Sequence, residues 1–484
     1  MLMTFIVMYL VASVAIGLYA ARRVNNTADY AVAGRSLPLA IVIATTFATW
    51  FGSETVLGVP ARFVSGNLGA VVEDPFGSAM CLILVGLFFA YKLYKKNLLT
   101  LGDYYRQRFG RLIEVLCSIM IIASYLGWVG AQVTALGLVF HLLAPATLSV
   151  TAGMVLGTLV VLVYTLFGGM WSVALTDFVQ MIVIAVGLAL IAWFAADLAG
   201  GASRVIEYAA AEGKFQFFPE GGAHEWLFFI GAAITLMFGS IPQQDVFQRV
   251  MSAKDARTAV RGPIIGGSLY FLFALVPMFI VTAAVMILGE GGAALLKDDP
   301  QKVLPTLVME KMPVALQVAF FGALLSAIMS TASATLLAPS TTFVENLLRN
   351  INPGMSDAAT LRAMRLTVLV FSMIVLTYAI TMQGTSIYEM VSGAYQVPLV
   401  GAFIPLVAGL YWKRATTQGA LASVVLGLGT WLFFIATPPL AEAFPQQLAG
   451  LIGAFAGMVA GSLAPQWVAN HTGHVHHFEG SGER

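Results

Sequence analysis

Long apolar runs recur along the whole chain and constrain its fold more than any other feature. Only 10% of the residues are charged, against about 25% in soluble domains, and a soluble fold could not cover its surface with so few polar groups. Helices of roughly 20 apolar residues cross a bilayer, so the sequence predicts an all-α polytopic membrane protein. The 13 candidate spans lie near residues 3–21, 39–61, 76–94, 113–142, 148–167, 173–199, 226–247, 263–288, 314–343, 363–382, 386–411, 418–437 and 447–465.

Lysines and arginines in the loops predict the orientation, because they concentrate on the cytoplasmic side. With the N-terminus outside, 19 of the 25 basic residues fall in cytoplasmic segments and five in outside segments. The odd number of spans then leaves the C-terminus in the cytoplasm, with a tail at 467–484. We interpret this tail as solvated, with metal binding as the weaker alternative for its His471, His474, His476 and His477.

Two spans contain interruptions at membrane depth, at residues 48–55 and 238–245. The first combines a glycine with hydroxyls and an acid, and in the second Pro242 removes a backbone donor. Irregular backbone is tolerated inside a membrane where it lines a cavity, and transporters often place such breaks at matching positions of two inverted repeats. The spacing of five spans predicts repeats at about 37–199 and 226–412 within a single transporter domain, 1–466. The peripheral helices would be 3–21, 418–437 and 447–465.

The ninth span carries a dense cluster of hydroxyls, formed by Ser326, Ser330, Thr331, Ser333 and Thr335. Such side chains can bond their own backbone or allow close helix packing. Sodium is a hard cation that takes oxygen ligands. Ser330 and Thr331 would supply such ligands if they faced the carbonyls freed at the first break.

Ionisable residues within the membrane are costly and usually functional. The candidates are Glu54, Asp177 and Glu389. Asp177 could cap a helix at the cytoplasmic mouth or attract a departing cation, and the sequence leaves both open. Asp245 and Arg249 stand four residues apart, which predicts an ion pair at the membrane interface.

Five short motifs occur in order along the chain. They are Ala-Gly-Arg-Ser-Leu-Pro at 33–38, Tyr-Thr-Leu-Phe-Gly-Gly-Met-Trp-Ser at 164–172, Thr-Asp at 176–177, Phe-Gln-Arg-Val at 247–250 and Ala-Ile-Met-Ser-Thr at 327–331. Together they resemble the motifs of the sodium/solute symporter family, which includes transporters for proline, sugars and choline. The resemblance runs from about residue 4 to residue 465.

The resemblance implies a LeuT-type core of two inverted five-helix repeats and a sodium site. The implied sodium ligands are the carbonyls of Ala48, Phe51 and Ala327 and the hydroxyls of Ser330 and Thr331. Some family members hold a second sodium, for which Asp177 and Ser333 match, and these two residues could also form a release path. Ala334 replaces a further serine of that second site, so one sodium per solute is expected.

The resemblance also implies a solute site beside the sodium. The matching positions are Trp50, Thr55, Ser78, Trp128, Gln132, Phe238, Gln243 and Gln244. Residues 49–52 and 164–177 look most like the high-affinity choline branch, where aromatic rings cage a quaternary ammonium. Trp50 and Trp128 match two walls of that cage, while Ser78 and Gln243 replace the others. We therefore expect an amino acid, a quaternary amine or a similar zwitterion.

Taken together, these features predict sodium-coupled symport of a small organic solute across a bacterial inner membrane by alternating access. No Gly-rich phosphate loop followed by Lys-Ser or Lys-Thr occurs, which argues against an ATP-driven pump. We expect no catalytic residue, organic cofactor or nucleic-acid partner, and the proposed cycle requires no oligomer. The alternatives are a proton-coupled symporter of the same fold and a non-transporting membrane sensor.

Overall fold

The computed structural model describes residues 2–470, and nearly all regular structure within that range is helical. An isolated bridge between Leu37 and Ala253 is the exception. The four histidines predicted for the tail lie outside the described residues.

Within residues 2–470, ten helices are long and apolar enough to cross a bilayer, and two pairs of shorter helices, each bent at a break, raise the number to 12. This confirms an all-α polytopic membrane protein. The ten are Leu2–Arg23, Gly69–Tyr94, Arg111–Leu143, Val150–Leu198, Ala256–Leu288, Val314–Ile351, Asp357–Thr381, Ile387–Tyr411, Thr417–Ile435 and Gln446–Leu463. The bent pairs are Leu39–Trp50 with Glu54–Ser65, and Ala223–Gly239 with Gln244–Ser252.

The predicted spans 148–167 and 173–199 fall within one helix, Val150–Leu198, which has 49 residues. At 1.5 Å per residue it would be about 74 Å long, more than twice the ~30 Å hydrocarbon core of a bilayer. Gly169 breaks its regular geometry with φ 49° and ψ −140°. A Cβ atom at this position would lie 2.4 Å from the carbonyl oxygen of Tyr30, so the break needs glycine both for its positive φ and for its lack of a side chain.

Both predicted interruptions are confirmed, and they turn the chain sharply. The first bent pair, hereafter the first broken span, changes direction by 56° between Trp50 and Glu54. It resumes with a π-helical turn over Glu54–Gly58. The second bent pair, hereafter the second broken span, changes direction by 44° between Gly239 and Gln244. Pro242 lies in this second break, where its missing N–H costs no helical bond.

The helix Val314–Ile351 lies at the centre of the molecule, with 67% of its apolar window buried against 22% for Leu2–Arg23. It contacts Val150–Leu198, Arg111–Leu143 and the first half of the first broken span. The hydroxyl cluster of the ninth predicted span therefore faces protein and not lipid. Its members Ser326, Ser330, Thr331, Ser333 and Thr335 are all fully buried.

Candidate functional site

The first broken span leaves backbone oxygen atoms without helical partners. Regular bonding in Leu39–Trp50 ends where the N–H of Phe51 donates to the carbonyl of Phe47 at 2.9 Å. The next amide to find a partner, that of Ser53, donates instead to Oε1 of Gln132 at 2.9 Å. The final carbonyls of a helix have no donors within it, and Ala48 and Phe51, whose carbonyls the resemblance implies as sodium ligands, lie at this interruption.

The helix Val314–Ile351, hereafter the central helix, brings the hydroxyl of Thr331 directly to this break. Oγ1 of Thr331 donates to the carbonyl oxygen of Thr49 at 2.7 Å. A Cβ atom built on Gly52 would lie 2.7 Å from the same hydroxyl oxygen. The predicted carbonyl residues Ala48, Phe51 and Ala327 are all fully buried. One of the two predicted hydroxyls, that of Thr331, therefore lies against the first break, as the sequence could only suppose.

Asp177 lies beside this contact and is completely buried. Its Oδ1 accepts a hydrogen bond from Ser330 at 2.6 Å, and its Oδ2 accepts one from Thr45 at 2.5 Å. The residue sits well inside Val150–Leu198, so it does not cap that helix. Ser333 turns toward its own helix and donates to the carbonyl of Ser330 at 3.0 Å.

The predicted interfacial ion pair of Asp245 and Arg249 is wrong. Both residues are buried in the core, and the guanidinium donates to the backbone carbonyl of Asp245 at 2.8 Å and to Oγ1 of Thr49 at 2.7 Å. The carboxylate of Asp245 instead accepts from the hydroxyl of Tyr125 at 2.6 Å. The i,i+4 spacing correctly places both residues on one face of their helix. It could not show that other helices cover that face.

Four aromatic rings pack together between the two breaks. The ring centroid of Trp128 lies 5.7 Å from that of Trp50, 5.3 Å from that of Tyr395 and 6.1 Å from that of Tyr125. We call these four residues the aromatic cluster. The sequence predicted its two tryptophans as solute contacts but missed Tyr125 and Tyr395. Neither tyrosine lies in a motif, and only the packing of Arg111–Leu143 against Ile387–Tyr411 brings the two together.

Glu54 lies at the edge of the aromatic cluster, just after the first break. Its Oε1 accepts from the indole N–H of Trp128 at 3.1 Å, and its Oε2 accepts from the amide of Gln132 at 2.7 Å. Trp128 and Gln132, both predicted solute contacts, therefore both donate hydrogen bonds to this carboxylate. The sequence identified Glu54 as an intramembrane acid but did not predict its contacts with Trp128 and Gln132.

Three further predicted solute contacts lie close to this group. Thr55 donates to the carbonyl of Trp50 at 3.2 Å. Gln243 donates to the hydroxyl of Ser124 at 2.9 Å, and its own carbonyl oxygen is buried without a partner. The hydroxyl of Ser78 is likewise buried, beside the carboxylate of Asp74. Unpaired polar atoms in a buried region are costly and are suited to a ligand that supplies their partners.

The last two predicted contacts make other interactions. The ring of Phe238 stacks on that of Phe403, with centroids 5.0 Å apart. Gln244 accepts from the amide of Leu101 at 2.9 Å and donates to the carbonyl of Leu99 at 3.4 Å. Its side chain is therefore fixed to the segment before the helix Leu101–Phe109, and the structure does not bring it to the aromatic cluster.

The comparison with protein families gives one match across most of the chain. The family model described as the sodium:solute symporter family matches residues 30–427. Among curated proteins, the high affinity choline transporter 1 of Homo sapiens is 29% identical over 454 residues, covering 88% of this chain and 75% of the relative. The osmoregulated proline transporter of Bacillus subtilis is 27% identical, covering 89% and 87%. The sodium/glucose cotransporter of Vibrio parahaemolyticus is 25% identical, covering 91% and 86%.

Solved structures share the fold. A Na+-coupled sialic acid symporter in a substrate-bound outward-open state superposes with a TM-score of 0.82 at 20% identity, covering 96% of this chain and 98% of that one. The transporter MhsT in complex with L-phenylalanine gives a TM-score of 0.56 at 14% identity, covering 88% and 98%. These neighbours have the LeuT fold, which agrees with two breaks that meet around a buried centre.

Proposed function

This chain belongs to the sodium:solute symporter family, and from that premise we propose that it carries a small organic solute into the cell together with sodium. Its family and relatives are transporters and not enzymes. The observation that carries the proposal is the contact of Thr331 with the carbonyl of Thr49, at 2.7 Å, where the first broken span opens its backbone.

We infer a finer topology from the same features. Counting the two arms of Val150–Leu198 on either side of Gly169 separately gives 13 spans. Each broken span then begins a five-helix repeat, at about 37–199 and 226–412, inside one domain, 1–466. The distribution of basic residues supports an N-terminus outside and a C-terminus in the cytoplasm.

The proposed sodium site combines the hydroxyls of Ser330 and Thr331 with the carbonyls of Ala48, Phe51 and Ala327. Asp177 is one hydrogen bond from this group through Ser330, at 2.6 Å. Its negative charge would favour a bound cation, and its position toward the first half of the broken span suits a release path. We infer one sodium per solute, because Ser333 bonds its own helix at 3.0 Å and Ala334 offers no oxygen.

The proposed cycle follows from where these groups lie. Sodium binding would hold the central helix against the first break. It would also fix the side chains of Trp50 and Glu54, which flank that break. Coupling between two ligands is reciprocal, so each would tighten the binding of the other. The repeats would then rock about this centre, driven by the sodium gradient and by a membrane potential worth about 2.3 kcal/mol per charge for each 100 mV.

The proposed solute lies against the aromatic cluster and Glu54. Indole faces attract cations, and Tyr125 and Tyr395 stand beside the two tryptophans at ring distances of 5.3 to 6.1 Å. This supports an amino acid, a quaternary amine or a similar zwitterion. Relatives named for choline, proline and glucose show how widely the solute varies within the family.

We also propose a multi-pass location in a bacterial inner membrane, which the apolar spans and the relatives from Vibrio and Bacillus support. The cycle needs no organic cofactor, nucleic acid or oligomeric partner. A proton-coupled symporter of the same fold is the competing function, because Asp177 and Glu54 are buried acids that could carry a proton instead.

Uptake into proteoliposomes tests the proposal, with an inward sodium gradient compared with an inward proton gradient. The solute is first selected by a thermal-shift screen with and without sodium. Sodium should drive accumulation, and the double variant Ser330→Ala, Thr331→Ala should need at least tenfold more sodium for half-maximal uptake. The variant Ser340→Ala is the matched control, since that hydroxyl only bonds Leu336 of its own helix at 2.8 Å. An unchanged sodium requirement in the double variant would refute the ion site, and uptake driven by protons alone would favour the competing function.

A further inference from the structure

Four basic side chains line one pocket where two membrane spans, Gly69–Tyr94 and Ile387–Tyr411, come to an end. The short helix Leu101–Phe109 forms its third wall, and its volume is about 400 Å³. The lining residues are Tyr91, Lys92, Lys95, Lys96, Tyr104, Arg108, Gly409 and Leu410. We call this space the basic pocket.

No carboxylate neutralises the basic pocket. Its lining contains no Asp or Glu, and none of the ion pairs within 4.0 Å between described residues includes any of its four cations. Lys96 donates to the neutral amide oxygen of Gln107 at 3.3 Å, and Arg108 donates to the carbonyl of Ala415 at 2.7 Å. Burial and the charge of Arg108 both lower the pKa of Lys96. Because converging like charges disfavour one another, the pocket favours an anion as its ligand.

A glycine keeps the pocket open. A Cβ atom at Gly409 would lie 2.6 Å from the hydroxyl oxygen of Tyr104 and 3.1 Å from Cγ of Arg108. Even an alanine there would therefore crowd the space between the second span and the short helix. Arg108 is fixed at this glycine, because its Nε donates to the carbonyl of Gly409 at 3.3 Å. The pocket is thus a built recess, and not only a group of basic side chains on a loop.

An exposed apolar surface adjoins the basic pocket. Leu87, Phe88 and Tyr91 share one face of their span, and each side chain is at least 50% exposed. Tyr411 ends the neighbouring span and donates to the carbonyl of Phe88 at 2.5 Å. The ammonium group of Lys92 lies 3.3 Å from the centroid of the Tyr411 ring. Basic groups therefore stand at the end of a surface that acyl chains cover in a bilayer, which favours a lipid over a water-soluble anion.

We propose that the basic pocket binds the phosphate headgroup of an anionic phospholipid, whose acyl chains lie along the adjoining apolar surface. The phosphate oxygens would accept hydrogen bonds from Lys95 and Lys96 and would balance the charge of Arg108. Basic pockets between spans on the cytoplasmic side bind phosphate-bearing headgroups, and the proposed topology puts this pocket on that side. The bound lipid would join the ends of two spans to the short helix. None of the lining residues belongs to the proposed sodium or solute site, so the inference does not depend on either.

Lipid binding to the purified full-length chain in detergent tests this inference, with thermal shift and native mass spectrometry as readouts. The probes are phosphatidylglycerol, phosphatidylcholine with the same acyl chains, and glycerol 3-phosphate. Phosphatidylglycerol should raise the melting temperature at least about twice as much as phosphatidylcholine, and it should stay bound in the mass spectrum. Lys96→Gln should remove at least about half of this difference, and the double variant Lys95→Gln, Lys96→Gln should remove nearly all of it. Arg362→Gln is the matched control, since it removes one exposed basic charge outside the pocket.

Four other results would each overturn the inference. The first is an equal shift with both lipids, and the second is a phosphatidylglycerol effect that survives in both pocket variants. The third is an equal loss in Arg362→Gln, which would assign the effect to surface charge in general. The fourth is stabilisation by glycerol 3-phosphate as large as that by the lipid, which would assign the pocket to a water-soluble phosphate compound.

Discussion

The two broken spans interrupt the membrane at corresponding places but are supported differently. The first break is held by other helices, since Thr331 reaches the carbonyl of Thr49 at 2.7 Å and Gln132 takes the amide of Ser53 at 2.9 Å. The backbone of the second break closes on itself, with the amide of Gln243 donating to the carbonyl of Ser240 at 3.2 Å, although the Gln243 side chain also donates to Ser124 of another helix at 2.9 Å. The carbonyl of Thr49 is partnered by a side chain of another helix, whereas the carbonyl of Ser240 is bonded within its own turn. We therefore infer that the first break binds the ion and that the second shapes the proposed solute site.

Two buried acids, one beside each break, give the largest expected difference. Asp177→Asn should raise the sodium concentration for half-maximal uptake at least tenfold, because it removes a negative charge one hydrogen bond from the proposed ligands. Asp245→Asn, whose carboxylate bonds Tyr125 at 2.6 Å, should leave that concentration nearly unchanged. The measurement is sodium-dependent uptake in proteoliposomes. Equal effects of the two variants would remove the functional distinction between the breaks.

Trp50 tests whether the first break also serves the solute. Trp50→Ala should weaken solute binding at saturating sodium about fivefold to tenfold, since an aromatic contact contributes about 0.5–1.5 kcal/mol beyond area burial. Trp50→Phe keeps a ring and should recover most of the affinity. Isothermal titration measures both variants. Unchanged affinity in the alanine variant would assign Trp50 to packing alone, with its rings 5.7 Å from Trp128 and 6.1 Å from Tyr395.

The second break should respond more weakly. Ser124→Ala removes the hydrogen bond from Gln243 at 2.9 Å and should lower the free energy of unfolding by about 1 kcal/mol, with no change in sodium dependence. Thermal denaturation in detergent reports the first effect and uptake the second. A sodium effect from this variant would mean that the second break also takes part in ion binding.

A partly exposed ion pair outside the two breaks should give the smallest effect. Lys302 and Asp299 form an ion pair of 3.3 Å with side chains 36% and 27% exposed. Exposed pairs contribute about 0.2–1 kcal/mol, so Lys302→Ala should change the melting temperature by no more than a degree or two and leave transport intact. A loss of uptake in this variant would show that the assay responds to general destabilisation, and the larger effects above would then need reinterpretation.

The sequence predicted much of this arrangement for identifiable physical reasons. Apolar runs revealed the spans because a bilayer admits little else, and glycine, proline and hydroxyls marked the two breaks because only those residues interrupt a helix cheaply. Tyr125 and Tyr395 were missed. Their positions depend on which faces of separate helices meet, and a hydrophobic period of 3.6 is weak in helices that are apolar all round.

The same limit explains the error at Asp245 and Arg249. Spacing along one helix predicted a pair, but the donors and acceptors that compete for those charges come from Tyr125 and Thr49 on other helices. Glu54 was recognised as an acid at membrane depth for a sound reason, its cost in lipid. Its partners Trp128 and Gln132 were recognised separately, and only the fold joins the three.

Gly52 stands where the proposed ion and solute sites meet. A methyl group there would lie 2.5 Å from Oε2 of Glu54 and 2.7 Å from Oγ1 of Thr331, which is closer than atoms can approach without displacement. Glu54 of the proposed solute site and Thr331 of the proposed sodium site therefore both approach one residue that has no side chain to separate them. We expect a change at either proposed site to act on the other directly at Gly52, in addition to the rocking of the repeats. Gly52→Ala would displace one or both of these side chains, so we expect it to weaken the coupling of solute uptake to sodium.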